Sequence, residues 1–547
     1  MKQNHSVGIL ISSIRVPVNA TEGEILKKAK EKMKRAGLST TSLHFRLYKK
    51  SIDARRKHEI CFECTVLAQG EIDQSRCSED RLHRADARLF KEEPLPITIG
   101  QEPIAQRPLV VGMGPAGLFA ALLLARHGYA PILIDRGADV EERVRNVARF
   151  RESGVLDTES NIQFGAGGAG TFSDGKLVTR IHDPRTSFVL RTLHEFGAPE
   201  DILYKAKPHV GTDLLRGVVS AILYEIERLG GEIHYRCKME DFSVMTDGTV
   251  KVQTNKGAFS CGALILAIGH SSRDTYLRLL EKSFMIEAKP ISVGVRVEHL
   301  QADIDQALYG RFAGHPNLGP AEYSLSDTRS GRGVYTFCMC PGGEVVAASS
   351  EEGGLVVNGM SNHARDGKNA NAAVAVSVGC EDYEPINGSL PLGAIAFQRR
   401  IEQAAFAAGG RDYYAPIMTM GDFLSGQSGT EPTRVEPSFR QGKVRLSSFE
   451  SVFPRFVTDS LRYGLASFGK KIEGYDVSDA VLTAAETRTS APLRILRDPQ
   501  TMAAVGNPMI YPCGEGAGYA GGITSAAVDG VRVALSLMER FAPSKQI

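Results

Sequence analysis

Three short stretches of the chain are apolar without interruption. They are Leu109-Val110-Val111, Pro131-Ile132-Leu133-Ile134 and Ala263 to Ile268. Continuous apolar runs of this length suit parallel strands covered on both faces. Helical patterns lie between them: Leu118 to Arg126, apolar on every side, then a charged stretch from Val140 to Glu152. A third helix from Leu214 to Leu229 stops at Gly230-Gly231, followed by a strand from Glu232 to Arg236 and a meander to Phe259. Alternating strands and helices predict an α/β fold around a parallel sheet. Upstream, Gly8 to Ile11, Ser42 to Lys49 and Glu59 to Leu67 read as strands. A helix from Thr21 to Arg35 joins the first two, with Thr21 and Glu24 spaced as a capping box and Gly37 placed to end it. That is a small βαββ unit.

From about Phe284 the pattern changes. Ser292 to Val297, Gly333 to Cys338 and Glu344 to Ser349 read as β, and Val357 to Ala372 is rich in small and polar residues. This predicts an α+β insertion. Val452 to Ile472 returns to helix, and a last strand runs from Met509 into Gly514-Glu515, ahead of a helix from Ile523 to Phe541. The expected division is a βαββ domain at 1–95, the first part of the α/β domain at 96–283, the insertion at 284–447 and the remainder of the α/β domain at 448–547.

Composition changes this picture little. Of 547 residues, 42% are hydrophobic and 23% charged, and the net charge of +2 points to neither nucleic acid nor membrane. Nine scattered Cys suit a reducing cytoplasm. The N-terminus reads as a strand, not a leader, and no run approaches a membrane span. Residues 1–93 carry 19 Lys and Arg against 13 Asp and Glu. Their densest basic cluster, Lys49 to Lys57, reads first as a solvated hairpin tip and second as a contact for RNA or another phosphate. Cys61 and Cys64 point to opposite faces of a strand and lack the partners of a zinc set, so no metal is expected.

The chemistry sits at the strand ends. Gly112, Gly114 and Gly117 follow the first apolar run at G-x-G-x-x-G spacing, with Pro115 and Ala116 between them. Gly112 permits the turn, Gly114 lets backbone approach a diphosphate, and Gly117 lets the helix pack on the strand. The helix N-terminus attracts the anion. Asp135 ends the next run 18 residues after Gly117, where a ribose acceptor belongs, and Arg136 follows it. Gly165, Gly167 and Gly170 repeat the spacing without the strand before or the apolar helix after. They read, with Gly168, as backbone lying flat on a ligand, and Ser173, Asp174 and Lys176 would add polar contacts. Gly269 ends the third run. At the far end, Gly514-Glu515 and the turn Gly521-Gly522-Ile523 open a helix. Glu515 suits a ribityl or phosphate anchor, and the helix N-terminus suits charge developing at flavin N1/O2. Two half-sites about 400 residues apart favour one FAD over NAD. Cys338-x-Cys340 is either a redox pair or ordinary pocket lining.

VVGMGPAGLFAA, ILIDRG and YPCGEGAGYAGGI resemble the FAD motifs of the glutathione-reductase superfamily, with Glu515 where Asp is usual. QFGAGGAGTFSDGKL, KPHVGTD, AIGHSSRDTY, the Asn362-to-Gly367 stretch and ETRTSAPLRI look more closely like a bacterial family of FAD-dependent dehydrogenases with undefined reaction. That resemblance covers essentially the whole chain. It implies a Rossmann-like FAD-binding domain interrupted by an α+β substrate domain. It also implies an oxidoreductase passing a hydride between flavin N5 and a small substrate. The sequence carries no second fingerprint for NAD(P)H, so that donor would dock transiently, or a protein donor would serve. His363, Arg365, Arg488 and His209 are the expected proton and anion contacts. Two other readings are a flavoprotein that binds RNA or another macromolecule through its basic N-terminal unit, and one whose FAD is structural or sensory.

Overall fold

In the computed structural model, which describes residues 7–72, 77–91, 93–179, 181–329 and 331–544, the three apolar runs become neighbouring strands. The parallel sheet orders Ile510–Pro512, Leu264–Leu266, Leu109–Val111, Ile132–Ile134 and Glu232–His234. All four pairings are parallel. Each of the three central strands is buried throughout. The helix Pro115–Arg126 covers one face and packs against the C-terminal helix Ile523–Arg540. Their approach is close because Gly530 lacks a side chain: a Cβ there would fall 2.1 Å from the Ala116 carbonyl oxygen. The fold is α/β, as expected, and the strand Ile510–Pro512, about 400 residues after the first glycine motif, closes the sheet edge beside Leu264–Leu266.

The insertion forms a second sheet of seven strands. Its order is Ser326–Asp327, Val334–Cys340, Asn369–Val378, Ile291–Leu300, Val481–Glu486, Ala415–Thr419 and Val444–Leu446. The fifth of these lies beyond the expected boundary at 447. Val481–Glu486 pairs antiparallel with Ile291–Leu300, and the helix Arg455–Gly469 packs on this sheet. The boundary therefore moves to the end of that strand; local pattern had assigned the helix before it to the wrong sheet.

The N-terminal unit is larger than βαββ. Its antiparallel sheet, ordered Leu43–Asp53, Cys61–Gly70, Val7–Pro17 and Ala87–Lys91, includes a fourth strand reached through the helix Glu79–Arg84. The helix Glu22–Arg35 carries the reciprocal Thr21–Glu24 capping box that its sequence announces. The expected hairpin tip at Lys49 is strand as far as Asp53, and residues 1–6 lie outside the described residues. This unit is docked, not free: the Lys50 amide donates to the Tyr204 carbonyl (2.7 Å) and the Ala206 amide to that of Lys50 (2.9 Å). The Lys50 ammonium lies 3.9 Å from the centre of the Phe62 ring, and Arg55 is paired with Asp53 at 2.7 Å. Arg311 of the insertion donates to the His58 carbonyl at 2.7 Å. No helix among the described residues is long and apolar enough to cross a membrane.

Candidate functional site

The carboxyl ends of the central strands open into one cavity, lined at Gly112, Asp135, Gly269 and Glu515 by the residues that follow four different strands. Two helix N-termini reach it, through Pro115 and through Ile523. The glycines of the first motif act as their spacing requires. Gly112 has φ +103°, and a Cβ on it would lie 2.2 Å from the Ala267 carbonyl oxygen. A Cβ on Gly117 would lie 1.9 Å from the Gly112 oxygen, so helix and strand touch backbone to backbone. Asp135 is buried. One of its oxygens accepts from the Met113 amide and the other from the Gly137 amide, each at 2.8 Å. The carboxylate is thereby fixed, with acceptor capacity left for a hydroxyl. Arg136 is held flat over Phe164 by Glu159 (2.6 Å) and Asp274 (2.8 Å).

The second glycine run docks onto the first. The Gly167 amide donates to the Met113 carbonyl (2.8 Å), and a Cβ on Gly168 would lie 2.7 Å from Gly114 Cα. Gly168, Ala169 and Gly170 line the cavity, together with Ser173, Asp174 and Lys176. Gly165 and Gly167 do not; this corrects the expectation that they lie against a ligand. A Cβ on Gly137 would meet Gly165 at 2.5 Å, and one on Gly167 would meet Thr171 and Val219, so these glycines serve packing and turning. Gly514 also falls short of the lining: its amide donates to Asp529 Oδ2 at 2.7 Å, and its φ of +74° turns the chain toward Glu515. Gly117 likewise packs and does not line.

Arg143 organises this loop and gave no signal in the sequence, being one charged residue in a charged helix. It is fully buried, and its guanidinium donates to five carbonyls, those of Asn161, Ile162, Gly165, Ala166 and Gly168. Burial without a bonded carboxylate pulls it down to about 9. Asp529, the buried one of two acids in the helix Ile523–Arg540, is equally silent in the sequence. It bonds Arg497 at 2.6 Å and positions the Gly514 turn.

At the insertion side the cavity is lined by Arg488, Glu486, Phe337, Cys338 and Asn358, with His270 from the third strand's loop. Arg488 is pinned by Glu402 (3.0 Å) and Ser350 (2.5 Å). Glu402 also binds Arg273 at 2.8 Å, and Arg273 binds Glu351 at 2.8 Å. Burial favours a neutral Glu402, yet the two guanidiniums hold its carboxyl far below the usual range. Burial first, then Arg488 and Arg273, push His270 down to about 3, which keeps it neutral. Burial lifts Glu515 to about 7, partly offset by Lys289.

Of the four expected proton and anion contacts, only Arg488 lines the cavity. Arg365 is buried against Asp174, with Nε to Oδ1 at 3.0 Å, so its charge is spent inside the protein. His209 Nε2–H donates to the His363 carbonyl (3.0 Å), and His363 Nδ1–H donates to the Val210 carbonyl at 3.0 Å. Their rings stack at 5.2 Å. Burial and then Arg365 push His209 down to about 4. These three residues latch the 361–365 turn of the insertion to Asp174 and residues 209–213, through two backbone carbonyls and the Asp174 carboxylate.

The lining fits a dinucleotide. Side chains built at Gly269, Gly521 and Gly522 would meet no protein atom within 4 Å, so the glycines leave that volume to a ligand. The N-termini of two helices offer amide donors there, and the carboxyls of Asp135 and Glu515 offer acceptors.

The comparisons agree in kind. Residues 290–489 match the family described as FAD-dependent protein, C-terminal domain-like, and residues 9–69 match Domain of unknown function (DUF8436). An uncharacterized protein of Clostridium beijerinckii is 46% identical over 530 residues, covering 96% of each chain. The chain belongs to the family of this clostridial protein. Its FAD-dependent protein C-terminal domain spans the seven-stranded sheet from Ile291 to Glu486, including the strand beyond 447. Among solved structures, CtdE in complex with FAD is 11% identical with a TM-score of 0.31, over 80% of this chain and 85% of that one. Halogenase PltM is 11% identical with a TM-score of 0.38, over 80% and 71%. The amino acid oxidase NikD is 12% identical with a TM-score of 0.35, over 82% and 99%.

Proposed function

We propose that this protein binds FAD in the cavity between its two sheets and works as an FAD-dependent oxidoreductase on a small substrate. The observation that carries this reading is the convergence of four strand ends and two helix N-termini on one glycine-lined cavity. In it, Asp135 would hold the adenosine ribose, and the amides of Gly114 and Ala116 would receive the diphosphate. Glu515 would hold the ribityl end, and the amides at Gly522 and Ile523 would meet the electronegative edge of the ring system. Bound FAD would supply a two-electron acceptor and donor. The insertion would roof that site. Arg488, fixed by Glu402, presents a permanent cation for an anionic or carbonyl group of the substrate. Neutral His270, also in the lining, offers one ring N–H donor and one ring nitrogen acceptor for hydrogen bonds to a bound group.

The electrons would come from NAD(P)H docking transiently, from the substrate itself or from a protein donor. A test is direct. Purified protein is expected to be yellow and to release FAD on denaturation. Anaerobic mixing with NADH, NADPH or members of a metabolite panel is expected to bleach the flavin with at least one of them. A colourless protein that takes up only NAD overturns the reading. A flavin that no donor bleaches favours a structural cofactor instead.

A further inference from the structure

The sequence leaves Cys338 and Cys340 open between redox pair and pocket lining, and their geometry separates these. On a regular strand the two would share a face. Here the pairing of Val334–Cys340 with Asn369–Val378 shifts register between Phe337 and Cys340, and Cys338 takes φ +44°, in the left-handed region. The bulge re-aims the first thiol. Cys338 is half-buried and lines the main cavity beside Arg488 and Glu486, whereas Cys340 lies behind it, fully buried. The Cys340 thiol donates to the Cys338 carbonyl at 3.3 Å, which holds the second sulfur against the first residue of the pair.

Two cations clamp the bulge. Arg296, fully buried and paired with Glu486 at 2.8 Å, donates to the Cys338 carbonyl at 2.8 Å and lies 3.9 Å from Cys340 Sγ. Lys176 donates to the Met339 carbonyl and lines the same cavity. The Cys340 thiol and both cations pull Cys338 toward thiolate, while Cys340 is pushed the other way. A strained bulge, an accessible thiol, a shielded thiol and two cations have no packing purpose that two alanines would not serve.

We propose that Cys338 and Cys340 form a dithiol–disulfide couple that exchanges two electrons with the flavin. The proposal rests on the FAD reading above. In the forward direction the Cys338 thiolate sulfur bonds to Cys340 sulfur and the Cys340 S–H bond breaks. Its proton and the two electrons pass to the oxidised flavin, so one disulfide forms for each flavin reduced. The reverse step delivers two electrons and a proton from reduced flavin, restoring thiolate and thiol.

The test is an anaerobic reductive titration of the FAD-loaded protein, started from its air-oxidised form, for wild type, C338S and C340S. Wild type is expected to take up twice the reducing equivalents per flavin that either variant takes. Peptide mapping of wild type alone supplies a second readout. The peptide spanning 338–340 should resist alkylation and be two hydrogens lighter before reduction, and be alkylated at both sulfurs after it. A yellow protein with equal uptake in wild type and C338S, and with both thiols alkylated throughout, overturns the couple and leaves the FAD reading standing. A protein that carries no flavin and cannot be loaded overturns both.

Discussion

Glu402 stands between two buried guanidiniums, and removing its charge should be felt across the insertion. Its oxygens accept from Arg273 twice, from Arg488 twice and from the Thr487 hydroxyl. Glu402, Arg273 and Arg488 are all nearly inaccessible to water. Glu402→Gln preserves the shape and leaves Arg488 without a carboxylate, while Arg273 keeps Glu351. Breaking a buried ion pair on one side costs about 3–5 kcal/mol. The surviving Arg273–Glu351 pair argues for the lower end, about 3 kcal/mol. For a cooperative unit of roughly 200 residues that lowers Tm by roughly 6–12 °C. The pH dependence fixes the cause. The Glu402 carboxyl sits below its unfolded value, so its contribution is complete above that value, about 4.3, and is lost as pH falls toward the folded one. The gap between wild type and E402Q, measured by circular dichroism during thermal unfolding, should be constant at neutral pH and shrink below about pH 4. A gap under about 0.5 kcal/mol at neutral pH, or one that widens on acidification, would refute the reasoning.

Three further outcomes are expected. Asp135→Ala leaves the Met113 and Gly137 amides unpaired, at about 1–3 kcal/mol each, and should yield protein with a reduced flavin-to-protein absorbance ratio. Gly168→Ala adds a methyl 2.7 Å from Gly114 Cα at a φ of +63°, so the glycine loops must part; at least a tenfold weaker FAD affinity is expected by fluorescence titration. His363→Ala removes a side chain that only latches the insertion, and should leave flavin content and its visible spectrum unchanged; a spectral shift would return His363 to the site.

What was legible in the sequence was whatever short-range pattern controls. The glycine spacing, the apolar strands and the Thr21 capping box needed only neighbouring residues to be read. Asp135 was readable because it stands immediately after a strand, and Glu515 because it follows a glycine turn just past one. Arg143, Glu402 and Arg273 were not, because a buried charge looks like a surface one until its distant partners are known. The strand Val481–Glu486 was misassigned for the same reason: its partner lies about 190 residues earlier, at Ile291–Leu300. His209, His363 and Arg365 attracted attention as reactive types in dense motifs. Such motifs also form where a chain must cross itself closely, and Gly211, whose Cβ would lie 2.2 Å from the His363 nitrogen, marks that crossing.

The strand Ile510–Pro512 joins the sheet beside Leu264–Leu266, so this wall of the cavity is synthesised long after the first glycine loop. A ribosome that has just released Asp135 has about 380 residues still to add before Glu515 exists. At 5–20 residues per second that interval is roughly 20–80 s. During it, the first glycine loop and its helix are present without the wall that completes them. The seven-stranded sheet must assemble in the meantime, from segments lying wholly within that gap. If FAD occupies this cavity as proposed, nascent chains should be stabilised by added FAD only once the helix Ile523–Arg540 has emerged.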